Sequence, residues 1–136
     1  MSQLHLKIVT PEKIIFDEDA SEVMAFTENG EIGILPEHIN LMTKIKPGEV
    51  IIKQGNKEIS MVTGPGLLQV AHNEVTITTD MAEKPEEIDE KSAEEARKRA
   101  SEALEQKLSA EEIATAEVAL EKALAQLKVK RRHRVR

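Results

Sequence analysis

The side chains best suited to acid–base or metal chemistry here are His5, His38, His72 and His133, and they stand without the partners such chemistry needs. The chain has no cysteine, no glycine-flanked serine and no spaced carboxylate cluster, so the spacing builds neither a nucleophilic triad nor a zinc site. A phosphate-cradling glycine loop is missing as well. We therefore expect no catalytic residue, no metal and no required cofactor. What remains is recognition, and one stretch suited to it is Gly30-Glu31-Ile32-Gly33-Ile34-Leu35-Pro36-Glu37-His38. Gly30 and Gly33 allow positive φ or close packing, and Pro36 fixes φ and removes a donor, so the run reads as a shaped, exposed loop carrying Glu31 and His38. Such a loop suits docking; the plainer reading is a solvated acid and an ordinary histidine.

The second stretch is the C-terminal tip, where Lys128, Lys130, Arg131, Arg132, Arg134 and Arg136 occur with no acid among the last nine residues. The formal net charge of −6 arises before Pro85, where seven Lys/Arg face thirteen Asp/Glu; from Pro85 onward twelve face twelve. An acidic body with a basic tip predicts an acidic partner for the tip. Nucleic acid is the competing partner and a solvated terminus the bland alternative. Against nucleic acid stand the acidic body and the scarcity of rings for base stacking, Phe16 and Phe26 being the only aromatic residues.

The elements that must position these groups change character near Lys84. Before it the apolar period is two: Leu4, Leu6 and Ile8 alternate with His5 and Lys7, Val50 and Ile52 with Glu49 and Lys53, Val75 and Ile77 with Thr76 and Thr78. Turn residues punctuate these runs at Thr10-Pro11, Glu28-Asn29-Gly30, Lys46-Pro47-Gly48, Gln54-Gly55-Asn56, Thr63-Gly64-Pro65-Gly66 and His72-Asn73. Short strands with frequent turns predict a β-sandwich or flattened barrel over residues 1–84, with Met24, Met42, Met61 and Met81 as core filling.

Beyond Lys84 glycine vanishes, Pro85 is the last proline, and Ala, Glu, Lys and Leu dominate, which is helix composition. Ala93, Ala96, Ala100, Ala103, Leu104 and Leu108 trace one stripe, with Glu94–Lys98 and Glu95–Arg99 expected as i,i+4 pairs outside it. Ser109-Ala110-Glu111-Glu112 has capping-box spacing, and Leu108 and Ile113 hold the staple positions. The spacing predicts an antiparallel two-helix hairpin over 85–136 with a tight turn near Leu108-Ser109. Its second helix should bury Ile113, Ala116, Leu120, Leu124 and Leu127 on one side, flanked by Ala119 and Ala123. A seam this rich in alanine buries little apolar area, so the hairpin should be able to detach.

The run from Gly30 to His38, with Ile8-Val9-Thr10-Pro11 before it and Lys46-Pro47-Gly48 after it, resembles the epsilon subunit of the rotary F-type ATP synthase, bacterial type. Gly66-Leu67-Leu68-Gln69-Val70 with Val75-Thr76-Ile77 is similar to that family's late hairpin, and Ala116-Glu117-Val118-Ala119-Leu120 through Leu127-Lys128-Val129 to its last helix. The resemblance implies two five-stranded sheets docked on a gamma subunit, resting on the rotor ring of c subunits through the loop around Glu31 and His38. Asn40 stands where the family commonly has proline, which implies a local difference in backbone. A non-catalytic central-stalk subunit is implied, coupling rotor-ring rotation to the catalytic head of alpha and beta subunits. Its hairpin, when extended, inhibits ATP hydrolysis. Lys122, Lys128, Lys130 and Arg131 are then the basic residues expected to meet acidic segments of the head. Family members that bind ATP on the folded hairpin carry Ile or Leu, Asp, two variable residues, Arg and Ala; here the pattern is Ile88-Asp89-Glu90-Lys91-Ser92-Ala93, without the arginine. Two readings stay open: a weak regulatory ATP site using Glu83 and Asp89, or Asp89 as a helix cap. The other function class is a stand-alone binding module whose basic tail holds nucleic acid or acidic surfaces. No signal-like or spanning apolar segment occurs, and the resemblance implies a location at the cytoplasmic face of the bacterial plasma membrane, peripheral through the complex.

Overall fold

Strand alternation becomes the inside and outside of a nearly closed β-sandwich. The computed structural model describes residues 2–135, with side chains through residue 133; the Arg134 side chain and Arg136, both assigned to the basic tip above, lie outside the described residues. Ten strands, β1 (Leu4–Val9), β2 (Ile14–Ala20), β3 (Glu22–Thr27), β4 (Gly30–Ile34), β5 (Leu41–Ile45), β6 (Gly48–Gln54), β7 (Lys57–Thr63), β8 (Gly66–Ala71), β9 (Glu74–Thr79) and β10 (Ala82–Glu83), precede a 3-10 turn (Pro85–Glu87) and two helices, α1 (Glu90–Ala103) and α2 (Ala110–Val135). Leu4, Leu6 and Ile8, Val50 and Ile52, and Val75 and Ile77 all point into one core with Ile34, Met61 and Leu68.

Strand order is β10-β7-β6-β3-β5-β8-β9-β1-β2, with β4 on β3. The pairing is antiparallel except between β1 and β9. Two five-stranded halves result, β10-β7-β6-β3-β4 and β5-β8-β9-β1-β2, joined by the Thr27–Ile45 pairing. The other side closes by hydrogen bonds: the Ser21 N–H and hydroxyl both donate to Lys53 O at 2.7 and 2.9 Å, and Gln54 Nε2 donates to Asp19 O at 2.9 Å. His72 and Asn73, at φ 51° and 64°, make the two-residue turn that joins β8 to β9.

Edge strand β2 carries exposed Asp17, Glu18 and Asp19, charges that discourage pairing with another chain. Two of them clasp His5 of β1: Nδ1 donates to Asp19 at 2.8 Å and Nε2 to Asp17 at 2.5 Å. Carboxylates only accept, so making both bonds at once requires the doubly protonated imidazolium. The Asp19 hydrogen bond first, then that of Asp17, raises the His5 pKa above its ordinary 6.5. A raised folded pKa means the clasp contributes fully below about pH 6.5 and is lost as pH climbs through the folded value. A histidine-resolved NMR titration should show His5 titrating above 6.5 in the native chain, and at about 6.5 once Asp17 and Asp19 are both replaced by Asn.

Several expectations are corrected. Gly30–Ile34 is a strand paired with β3, so the loop is confined to residues 35–40. Gly30 does use positive φ, at 110°, whereas a Cβ on Gly33 would meet only Glu22 Oε2 at an ordinary 3.5 Å. Met61 is core, Met24 and Met81 are half-buried, and Met42 is exposed because it lies on the outer face of β5. Helix α1 stops at Ala103, where Glu105 and Gln106 donate to carbonyls three residues back and tighten its end. Glu94 pairs with Arg97 instead of Lys98, and among the described residues Glu95–Arg99 does not form.

The one-sided burial expected of α2 is also wrong, because α2 is the middle of three layers. At about 100° per residue, Ala116, Ala123 and Leu127 share one side, while Ala125 and Val129 lie nearly opposite. Ala116 and Ala119 line the seam with α1, and Ala125 and Val129 meet Val62 of β7 and Ile88. Leu120 is half-buried, and Ile113 and Leu124, between the two packed sides, are exposed.

Candidate functional site at the docked helix tip and the loop after strand four

Loop 35–40 is held by short-range chemistry. The His38 N–H donates to Leu35 O at 3.1 Å, and His38 Nδ1 donates to Ile39 O at 2.7 Å. Glu37, at φ 69°, donates its N–H to Asn73 Oδ1 at 2.9 Å. Asn40 Oδ1 accepts the His72 N–H at 3.3 Å, so the asparagine ties the loop to the β8–β9 turn, a bond proline could not accept through a side chain. Pro36 and His38 are half-buried. Glu31 is exposed near the β3–β4 turn, whereas His38 lies past the other end of β4, and no ion pair joins them among the described residues. Sequence reasoning missed the apolar content of this surface: Leu35, Met42 and Ile39, the last 80% exposed, stand out from it.

The basic residues of α2 are placed by the three-layer packing. Arg131 faces α1, where Nε donates to Glu90 at 3.1 Å and Nη2 to Glu94 at 3.2 Å. Arg132, one step and about 100° round the helix, faces the sandwich. There it forms an ion pair with Glu49 of β6 and donates to Ser60 Oγ of β7 at 3.2 Å. Lys130 Nζ donates to Pro85 O at 3.0 Å, and Lys46 reaches Glu121 at 3.6 Å. Lys122 and Lys128 have no ion pair among the described residues. Glu49 was not singled out from sequence, and Arg132 only as one cation of the basic tip. Glu49 occupies an outward position of a strand, yet it is 4% exposed because α2 covers it.

The two candidates for nucleotide contact have partners within the chain. Gln126 Nε2 donates to Glu83 Oε1 at 2.5 Å. Asp89 is the N-cap of α1, accepting the Lys91 N–H at 3.1 Å and the Ser92 hydroxyl at 2.8 Å, and the Ser92 hydroxyl in particular holds its carboxyl below the usual range. At the start of α2 the expected capping box is present: Ser109 N–H donates to Glu112 Oε1 at 3.1 Å and Glu112 N–H to Ser109 Oγ at 3.2 Å. These bonds, the Ser109 backbone N–H foremost, lower the Glu112 pKa. Among the described residues no group of three or more His, Asp or Glu side chains is placed to hold a metal.

Comparison with known proteins covers both parts of the chain. Residues 3–85 match the family described as ATP synthase, Delta/Epsilon chain, beta-sandwich domain, and residues 86–131 match ATP synthase, Delta/Epsilon chain, long alpha-helix domain. An ATP synthase epsilon chain of Desulforamulus reducens is 38% identical over 123 residues, covering 90% of this chain and 93% of that one. That of Herpetosiphon aurantiacus is 38% identical over 133 residues, covering 98% of each. Among solved structures, a chain of the Euglena gracilis mitochondrial ATP synthase (OSCP/F1/c-ring, rotational state 1) superposes with a TM-score of 0.80 at 25% identity, covering 94% of this chain and 81% of that one. The central stalk/c-ring structure of the Tetrahymena thermophila mitochondrial ATP synthase contains a chain with the same fold, at a TM-score of 0.70 and 15% identity, covering 93% of this chain and 95% of that one. Matched along both its sandwich and its helices, the chain belongs to the epsilon-chain family of the ATP synthases.

Proposed function

We propose that this chain works in the central stalk, with its sandwich bound to a gamma subunit and seated on the ring of c subunits, while its hairpin regulates ATP hydrolysis by the alpha and beta subunits of the catalytic head. It performs no chemistry itself. The seat on the ring is the loop carrying His38, with Glu31 nearby in sequence and exposed Leu35, Ile39 and Met42 supplying apolar area. No described helix is long and apolar enough to cross a membrane, so attachment to the cytoplasmic face of a bacterial plasma membrane runs through the complex.

The observation that carries the regulatory reading is the fate of the basic tip. With α2 docked, Lys130, Arg131 and Arg132 are spent on Pro85 O, Glu90, Glu94, Glu49 and Ser60, and so are withheld from any acidic partner. Leaving the sandwich frees Arg132, and parting of α2 from α1 as the hairpin extends frees Arg131. The docked chain is thus permissive and the extended chain inhibitory. This reading requires no ATP; a weakly bound regulatory ATP at Glu83 and Asp89 would have to displace their contacts with Gln126 and the start of α1, and Ser92 offers it no guanidinium.

The test is ATP hydrolysis by a reconstituted head with gamma and either the parent chain or its Lys122→Glu/Lys128→Glu variant, at low and high salt. Reversing these two leaves the docked ion pairs intact. The parent should inhibit, salt should relieve the inhibition, and the variant should inhibit several-fold less. A parent chain that binds the head and gamma without slowing hydrolysis overturns the regulatory reading.

A further inference from the structure

We propose that Glu49 and Arg132 are a register latch that makes docking of α2 all-or-none. The proposal rests on the hairpin being the regulator, and it adds the pair of residues that sets the switch. Glu49 lies on the outer face of β6, where a carboxylate normally meets water, and α2 buries it to 4% exposure. A carboxylate in that position must find a cation, and Arg132 supplies one from the sandwich-facing side of α2, steadied by its bond to Ser60.

Such a pair fixes geometry more than it adds strength. Removing two ions from water costs about as much as their attraction returns, so full undocking, which hydrates both, is nearly neutral for the pair. Partial states fare worse. A shift of α2 short of a full turn, about 5.4 Å, takes Arg132 from Glu49 while the helix still covers it, stranding a buried charge, and a full-turn slip that put Lys128 in its place would break Gln126–Glu83 and Lys46–Glu121. The contacts among Val62, Ile88, Ala125 and Val129 are apolar and leave no charge unpaired when they shift, so register falls to the polar contacts, of which Glu49 brings the buried carboxylate. Arg131, on the side facing α1, travels with the hairpin. The latch therefore leaves two allowed states, docked in register or fully detached, and these are the two a brake requires.

The test uses the full chain and measures amide hydrogen exchange over residues 123–130, with β8 and β9 as internal reference. Arg132→Gln strands the buried Glu49 carboxylate and should speed exchange in α2 by about tenfold or more while the reference strands stay protected; Glu49→Gln, which leaves unpaired only an arginine side chain 34% exposed, should speed it less. Glu49→Leu with Arg132→Met replaces the ions by packed apolar groups and should return exchange to the parent rate or slower. Unchanged exchange in Arg132→Gln, or a double variant as open as Arg132→Gln, overturns the latch. Inhibition of hydrolysis by the same chains separates this from the regulatory reading. Faster exchange with stronger inhibition supports both, whereas faster exchange with unchanged inhibition supports the latch and overturns the brake.

Discussion

Gly66→Ala should destabilise the sandwich by about 3 kcal/mol, toward the severe end for a single added methyl. Gly66 opens β8 between β5 and β9, paired with Ile45 on one side and Thr79 on the other. A Cβ there would run into Thr78 O, well inside contact distance, and come within 3.1 Å of Thr78 C and Thr79 Cα. All three atoms are backbone of a paired strand, so no rotamer relieves the clash and β9 must shift. Gly64, two residues earlier, is the control. Its added Cβ would clash first with the Asp80 carboxylate, the end of a side chain that can turn away. Thermal unfolding should show Gly66→Ala melting roughly 15 °C lower than the parent and Gly64→Ala falling by less than half of that. Equal losses would show that the β8–β9 approach is not the tight one.

Val129→Asp should detach α2 and leave the sandwich folded. Val129 is 1% exposed and packs with Val62 and Ile88 in a cluster separate from the main core. Each fully buried side chain of this size contributes about 1.5–3 kcal/mol, so the small cluster supplies only several kcal/mol of docking energy. An unpaired carboxylate placed there costs a comparable amount. Amide exchange in α2 should approach that of a solvent-exposed helix while β8 and β9 keep their protection. With the head and gamma, the detached hairpin should inhibit ATP hydrolysis more than the parent does. Loss of protection throughout the chain would instead make α2 part of one cooperative unit with the sandwich.

Most of the strand framework was legible in the sequence because a period of two reports directly which side chains point inward. Leu6, Ile52 and Ile77 were identifiable for that reason, as were the His72-Asn73 turn and the Ser109–Glu112 box, both of which depend on residues close in sequence. Strand β4 was hidden because Gly30, Gly33 and Pro36 read as loop chemistry, while its pairing with β3 is a contact between segments. Helix α2 defeated periodicity for a related reason. With α1 on one side and β7 on the other, its apolar residues wrap around the axis, and a single stripe cannot describe them. The basic tip was visible as charge, but its partners Glu49, Glu90 and Glu94 are distant in sequence and became apparent only with the fold. Glu49 in particular looks like any outward strand acid until α2 is laid over it.

The central claim is that the docked hairpin permits hydrolysis and the released hairpin inhibits it. Val62→Cys with Val129→Cys, in a chain that has no other cysteine, places a disulfide between two side chains of one cluster and tethers α2 to β7. Hydrolysis by the head with gamma should be measured with this chain oxidised and then reduced. The account predicts little inhibition in the oxidised state and inhibition restored by reductant; equal inhibition in both states would contradict it.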